Sequence, residues 1–228
     1  MKLLLPAIIF TCFLQPLSAQ TIAKISLLNT GQFDRVSFDL GESVIMHLSK
    51  NGEIIKWGVD IYGNRNDNYK DHLEEYTGKT GYFGLFVDSA FRGKIQFIGR
   101  TYFTYYPSYE NVLLQGKIKS IGNIPVDYYL AYENEAYRGF IKNVGSSLFT
   151  WYSSFDNKGL SGKLKSMGPT ALTYYTSFDD VAFRGKIKSI ERTTFSYYSS
   201  FDRPEYSGGL KTGTQVVVAN GVKYYTRW

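Results

Sequence analysis

The sequence predicts an all-β protein, an antiparallel meander of 23-residue hairpin repeats arranged as an extended sheet or a solenoid-like array. Three periodic features predict it. Glycines stand at 93, 116, 139, 162, 185 and 208, spaced by 23 each time. An aromatic pair follows each of the first five: Tyr105-Tyr106, Tyr128-Tyr129, Trp151-Tyr152, Tyr174-Tyr175 and Tyr197-Tyr198. An aromatic followed by an acid then closes the unit: Tyr109-Glu110, Tyr132-Glu133, Phe155-Asp156, Phe178-Asp179 and Phe201-Asp202. Registers that stay in phase without an insertion mark one supersecondary unit used repeatedly. The 20 tyrosines and 16 phenylalanines suit it, because aromatic side chains pack well on pleated surfaces.

From the N-terminus, residues 1–19 read as a secretory signal peptide. Lys2 precedes a mostly apolar run from Leu3 to Leu14, and Pro16, Leu17, Ser18 and Ala19 supply a helix-breaking, small-residue end. The run is shorter than the roughly 20 apolar residues a spanning helix needs. Cys12 also admits a lipoprotein reading, but Thr11 ahead of it is not the small residue expected there. Removing nineteen residues from 228 leaves 209 and no cysteine, since Cys12 is the only one. Thiol catalysis and thiolate metal sites are then excluded, and a chain of this length buries a core without disulfides.

Residues 20–79 are expected to form an N-terminal β region and cap. The run from Val44 to Val59 contains Asn51-Gly52, a strong hairpin signal. Residues 63–79, with Asn64, Asn66, Asp67, Asn68 and Asp71, read as a loop or short helix. Residues 80–211 form the array, with Tyr82-Phe83 and Phe86 as a degenerate first copy. Residues 212–228 are expected to be a C-terminal capping hairpin around Asn220-Gly221, because an end unit must cover the open apolar face.

Within a unit, period-two alternation places Phe183, Gly185 and Ile187 on one side of the first strand, with Arg184, Lys186 and Lys188 on the other. In the second strand Phe195, Tyr197, Ser199 and Phe201 share one side, opposite Ser196, Tyr198 and Ser200. The connections are short enough only for antiparallel neighbours.

Fixed spacing turns a sequence column into a ladder. Tyr106, Tyr129, Tyr152, Tyr175 and Tyr198, together with Lys119, Lys165 and Lys188, are the candidate binding residues on the face that alternation makes polar. The structural reading of this ladder is charge satisfaction across strands. The functional reading is a flat platform with polar tips for a glycan or a protein. Catalysis finds little support. His47 reads as a satisfied strand histidine, and the cluster of Asp71, His72 and Glu75 reads as a solvated face rather than a metal site. No cofactor and no metal are expected. The net charge of +6 does not point to nucleic acid in an exported chain with acids in every repeat.

The pattern Gly-Lys-Ile-Lys-Ser-Ile-Gly followed by Tyr-Tyr-x-Ser-Phe-Asp resembles the Tyr-Asp repeats of polymorphic-toxin shells. It is similar to MORN repeats in its 23-residue length and hairpin form, without their Tyr-x-Gly-x-Trp pattern. It also resembles choline- and glucan-binding cell-wall repeats, although their Gly-Trp pair is missing. The phrase as a whole resembles uncharacterised exported proteins of Bacteroidota-type bacteria. These resemblances cover about residues 80–211 and imply a hairpin array without an activity.

The expectation is therefore a non-enzymatic protein of the periplasm or cell surface, an interaction scaffold for an envelope protein. The alternative is a glycan- or cell-wall-binding module that uses the Tyr/Lys face. Membrane association, without spanning, is compatible with either. A small outer-membrane barrel ranks lower, suggested by the alternation from Val222 to Trp228. An enzyme is held open only by His72 and its acidic neighbours.

Overall fold

The computed structural model describes residues 21–61 and 72–227. The expected signal peptide, Cys12, Asp71 and most of the Asn-rich segment lie outside the described residues.

The chain is all-β, as its periodicity predicts. β1 (Thr21–Leu28), β2 (Phe33–Asp39), β3 (Val44–Leu48) and β4 (Ile54–Val59) form a meander, with the hairpin at Asn51-Gly52 joining the last two. The array begins with β5 (Thr80–Tyr82), β6 (Ile95–Ile98), β7 (Thr101–Tyr105), β8 (Ile118–Ile121) and β9 (Ile124–Tyr128). It continues through β10 (Ile141–Val144), β11 (Ser147–Trp151), β12 (Leu164–Met167), β13 (Thr170–Tyr174), β14 (Ile187–Ile190) and β15 (Thr193–Thr194). Sequence neighbours pair throughout, giving an 11-stranded antiparallel sheet. β16 (Ser196–Tyr197) resumes after a break at Phe195 and pairs with β17 (Leu210–Thr212). The degenerate first copy is real, since β5 pairs with β6 in the register of the later units.

The two ends of the chain meet. β18 (Val216–Ala219) and β19 (Val222–Arg227) form the Asn220-Gly221 hairpin, in which both turn residues take positive φ. β19 then runs parallel to β1, with Tyr224 opposite Ile25, so the hairpin sits in the N-terminal sheet. That sheet has the order β18-β19-β1-β2-β3-β4.

The array is consequently not a bare single layer. Ile25, Leu27, Val36, Phe38, Met46, Leu48 and Tyr224 belong to one core with Ile98, Phe103, Ile121, Ile141, Phe149, Leu172 and Ile190. Phe33 meets Trp151 edge to face at 5.2 Å. Polar bonds fix the layers at their margins. Ile141 N donates to Lys50 O at 2.8 Å, Thr101 Oγ1 to Leu40 O at 3.2 Å, and Asn220 Nδ2 to Thr170 Oγ1 at 3.0 Å. Both sheets remain open, one ending at β5 and β15 and the other at β4 and β18, so no barrel closes.

The simple alternation of the first strand does not hold, because each unit carries two irregularities. At the periodic glycine, Gly185 N donates to Tyr175 O while Tyr175 N donates to Lys186 O. One residue thus faces two, with Gly185 at φ +74, the geometry of a glycine bulge. Gly93, Gly116, Gly139, Gly162 and Gly208 repeat it with φ from 70 to 76. A second shift places Tyr174 opposite Ile187 and Thr173 opposite Ser189, leaving Lys188 as the extra residue. Ile187 and Ile190, three apart, are then both buried while Lys188 is exposed. The second strand also ends early. Its inward series stops at Tyr197, and Phe201, expected on the same side, stands in solvent.

The bulge and the core give contrasting expectations in urea unfolding. Gly162→Ala forces a Cβ to 3.0 Å from Ala136 O at φ +74, and should cost about 1–2 kcal/mol. Ile121→Ala empties a fully buried site between strands and should cost about 2–5 kcal/mol.

Candidate functional site

The tyrosine ladder is not the open platform that alternation suggested. Tyr106 and Tyr129 are buried, and Tyr152, Tyr175 and Tyr198 are half-buried. For the first four the reason is a set of bonds to the next hairpin, while Tyr198 packs against Tyr206 under Lys211. The Tyr106 hydroxyl donates to Val126 O at 3.1 Å, Tyr129 to Phe149 O at 2.8 Å, Tyr152 to Leu172 O at 3.2 Å and Tyr175 to Phe195 O at 2.9 Å. The first aromatic of each pair turns the other way, toward its own hairpin. Tyr105 donates to Ile95 O, Tyr128 to Ile118 O, Trp151 Nε1 to Ile141 O, Tyr174 to Leu164 O and Tyr197 to Ile187 O. One ring staples the unit to itself, and the other staples it to its successor.

The candidate lysines roof these rings. Lys119 lies over Tyr106 at 5.5 Å, Lys165 over Tyr152 at 5.1 Å and Lys188 over Tyr175 at 5.5 Å, close enough for cation–π attraction. Lys142 covers Tyr129 and bonds Glu133 at 2.8 Å. The structure therefore brings the candidate residues together, but as lids and staples. A second lysine column folds inward. Lys117 Nζ donates to Gly139 O at 2.6 Å, and Lys163, almost fully buried, donates to Gly185 O at 2.8 Å and also to Thr30 O. Burial lowers the Lys163 ammonium to about 8.

The exposed chemistry lies one turn further along. Phe86, Tyr109, Tyr132, Phe155, Phe178 and Phe201 recur every 23 residues, and each is at least 81% exposed. Every one sits at the tip of a tight turn. Asp156 N donates to Ser153 O, and the Asp156 carboxylate accepts from Ser153 N and Oγ at 2.7 Å each, which locks the turn that carries Phe155. Asp179 does the same with Thr176, and Asp202 with Ser199. These bonds hold the three carboxyls below the usual aspartate range.

Neighbouring turns are tied together as well. Ser108 N and Oγ donate to Asp88, Ser154 N to Asn134 Oδ1, Asn157 Nδ2 to Ser177 Oγ, and Ser200 N and Oγ to Asp180. Arg92, Arg138 and Arg184 donate from Nε to the carbonyl just after the aromatic, at Val87, Glu133 and Asp179. The result is a file of exposed rings on turns that are hydrogen-bonded internally and, at four of their five junctions, to one another. Sequence reasoning found the column and read the segment from Phe178 to Ala182 as a turn led by an acid, yet set Phe201 on the apolar side of the second strand. The Ser/Thr-x-Phe-Asp phrase, led by a hydroxyl and closed by a carboxylate, puts Phe201 in the turn as well.

The histidines resolve differently. His72 Nε2 and Glu74 Oε1 are 2.6 Å apart in solvent, and among the described residues no group of three metal-ligating side chains converges. His47 is buried in β3, yet its ring nitrogens meet no hydrogen-bond partner, which corrects the expectation of a satisfied strand histidine. Burial first, then the charges of Arg35, Lys24 and Lys56, lower it to about 3. No known family, curated protein or solved structure matches the chain. No helix among the described residues is long and apolar enough to cross a membrane.

Deleting one staple tests its role. Tyr129→Phe leaves the Phe149 carbonyl without its phenol and should cost about 1–3 kcal/mol in urea unfolding. Tyr132→Phe, on an exposed ring, should change stability by about 0.5 kcal/mol or less.

The pH profile carries two expectations. His47 is held neutral, so its contribution is complete above the unfolded value near 6.5 and is lost as pH falls toward 3. Urea midpoints should drop across that window, and less so in His47→Phe. Burial raises Tyr106 and Tyr129 to about 12, so their contribution is complete below 10 and is lost between 10 and 12. Tyrosinate absorbance should rise together with loss of the folded circular dichroism signal, rather than before it.

Proposed function

We propose that this chain is a non-enzymatic, exported interaction scaffold, and that its binding element is the file of aromatic turns rather than the tyrosine ladder. The exposure of Phe86, Tyr109, Tyr132, Phe155, Phe178 and Phe201 carries this reading. Six large apolar side chains held in solvent at one fixed sequence spacing are more than the scattered apolar residues that a soluble surface ordinarily carries. Nothing in the packing of the array requires these rings to be aromatic, since none contributes to its core. Bracing by Asp156, Asp179 and Asp202 lowers the ordering entropy that a ligand would otherwise have to offset. Export rests on the signal-peptide pattern at residues 1–19.

The test uses the immobilised full chain against envelope extracts of the source cells. A variant carrying Phe155→Ser, Phe178→Ser and Phe201→Ser should unfold at the same urea concentration as the parent and lose the retained material. Equal retention by parent and variant, or substrate turnover by the parent, would sink the proposal.

A further inference from the structure

We infer that the aromatic file binds an extended β-1,4-linked polysaccharide, one ring to every second sugar. This rests on the scaffold reading above and names its ligand class.

The geometry comes from the sheet itself. Successive aromatic turns are two strands apart, and strands lie about 4.7–4.9 Å apart, so the rings repeat about every 9.5 Å. Six rings then span about 48 Å in a single file. The rings are too far apart to touch one another, because aromatic pairs meet at about 4.5–7 Å. Any ligand that uses them all must therefore present equivalent flat apolar surfaces at the same period. An extended β-1,4-linked hexose chain does so, because each sugar is flipped relative to the last. The same C–H face returns every disaccharide, whose length is close to this pitch.

Other linear ligands fit less well. A β-strand returns side chains to one face about every 6.6–6.8 Å, and an α-helix turns every 5.4 Å. A compact protein epitope concentrates its contacts around a desolvated centre rather than along a file. A polyproline II helix turns about every 9.3 Å, and so matches the pitch. Its prolines, however, dock into aromatic-lined grooves. Here each ring protrudes alone with both faces open, at least 81% exposed, which suits stacking on a flat sugar ring. The surroundings suit a hydroxyl-rich ligand too. Ser108, Ser154, Ser177 and Ser200 lie beside the rings, with Arg92, Arg138 and Arg184 against the same turns. The braced turns fix the pitch before the ligand arrives, and the rings act together through effective concentration.

The full chain is tested by sedimentation with crystalline cellulose and chitin, with amylose as a coiled α-linked control. Calorimetry with cello- and chito-oligosaccharides of increasing length then follows. Retention on cellulose or chitin but not on amylose is expected, with affinity rising at each added disaccharide. Phe155→Ala, Phe178→Ala and Phe201→Ala should each weaken binding roughly two- to tenfold and leave urea unfolding unchanged. Removing alternate rings in Tyr132→Ala with Phe178→Ala should abolish the stepwise gain for short oligosaccharides and spare part of it for long ones. Equal retention by parent and ring-less variants would overturn the inference. So would no retention on either polysaccharide, and a proline-rich peptide or an envelope protein held through the rings would then keep the scaffold reading while excluding the sugar. Ring-independent behaviour toward every probe would remove both.

Discussion

The structure depends on the division of labour within each aromatic pair. The first ring bonds a carbonyl ten residues behind it, within its own hairpin. The second bonds a carbonyl twenty residues ahead, in the next one. An isolated two-stranded hairpin is marginal in water. Buried phenol-to-carbonyl bonds join the units, so that the array gains stability from nearest-neighbour coupling, as repeat architectures do. Edge-to-face contacts reinforce the same joints, with Tyr106 on Tyr128, Tyr152 on Tyr174 and Tyr175 on Tyr197. The lysines add attraction over the rings, and Lys142 and Lys165 also pair with the turn acids Glu133 and Asp156.

The glycine bulge makes this arrangement possible. Placing Gly162 or Gly185 in the left-handed region lets one residue of the second strand pair with two of the first. The strand bends there, and both members of the aromatic pair reach packed positions, one against its own hairpin and the other against the next. The same bend ends the strand soon after the pair, so the next aromatic falls on a turn. The packed aromatic pairs and the exposed aromatic tips thus both follow from the bulged backbone.

The second layer decides which face of the array is the core. β1 to β4 and the hairpin of β18 and β19 bring their apolar side against the array, and the first and last parts of the described chain share one sheet. The terminal segments act as a lid along the array, where the sequence suggested caps at its two ends. The turn edge stays clear of this lid, since the aromatic tips from Phe86 to Phe201 are exposed throughout.

Much of this was legible in the sequence. The 23-residue period fixes the hairpins and their order, because stacked neighbours must repeat the same local solution. Asn51-Gly52 and Asn220-Gly221 place two turns correctly, because few other dipeptides accept their dihedral angles. Alternation also found the inward residues of the second strand, from Phe195 to Tyr197. It failed at Tyr198 and Phe201, because period two assumes an unbroken pleat and each unit contains two bulges. The parallel pairing of β19 with β1, the burial of His47 without a partner and the layering of the two sheets join residues far apart in the chain. Local pattern carries no record of such contacts. They were decided only when apolar faces had to find each other in three dimensions.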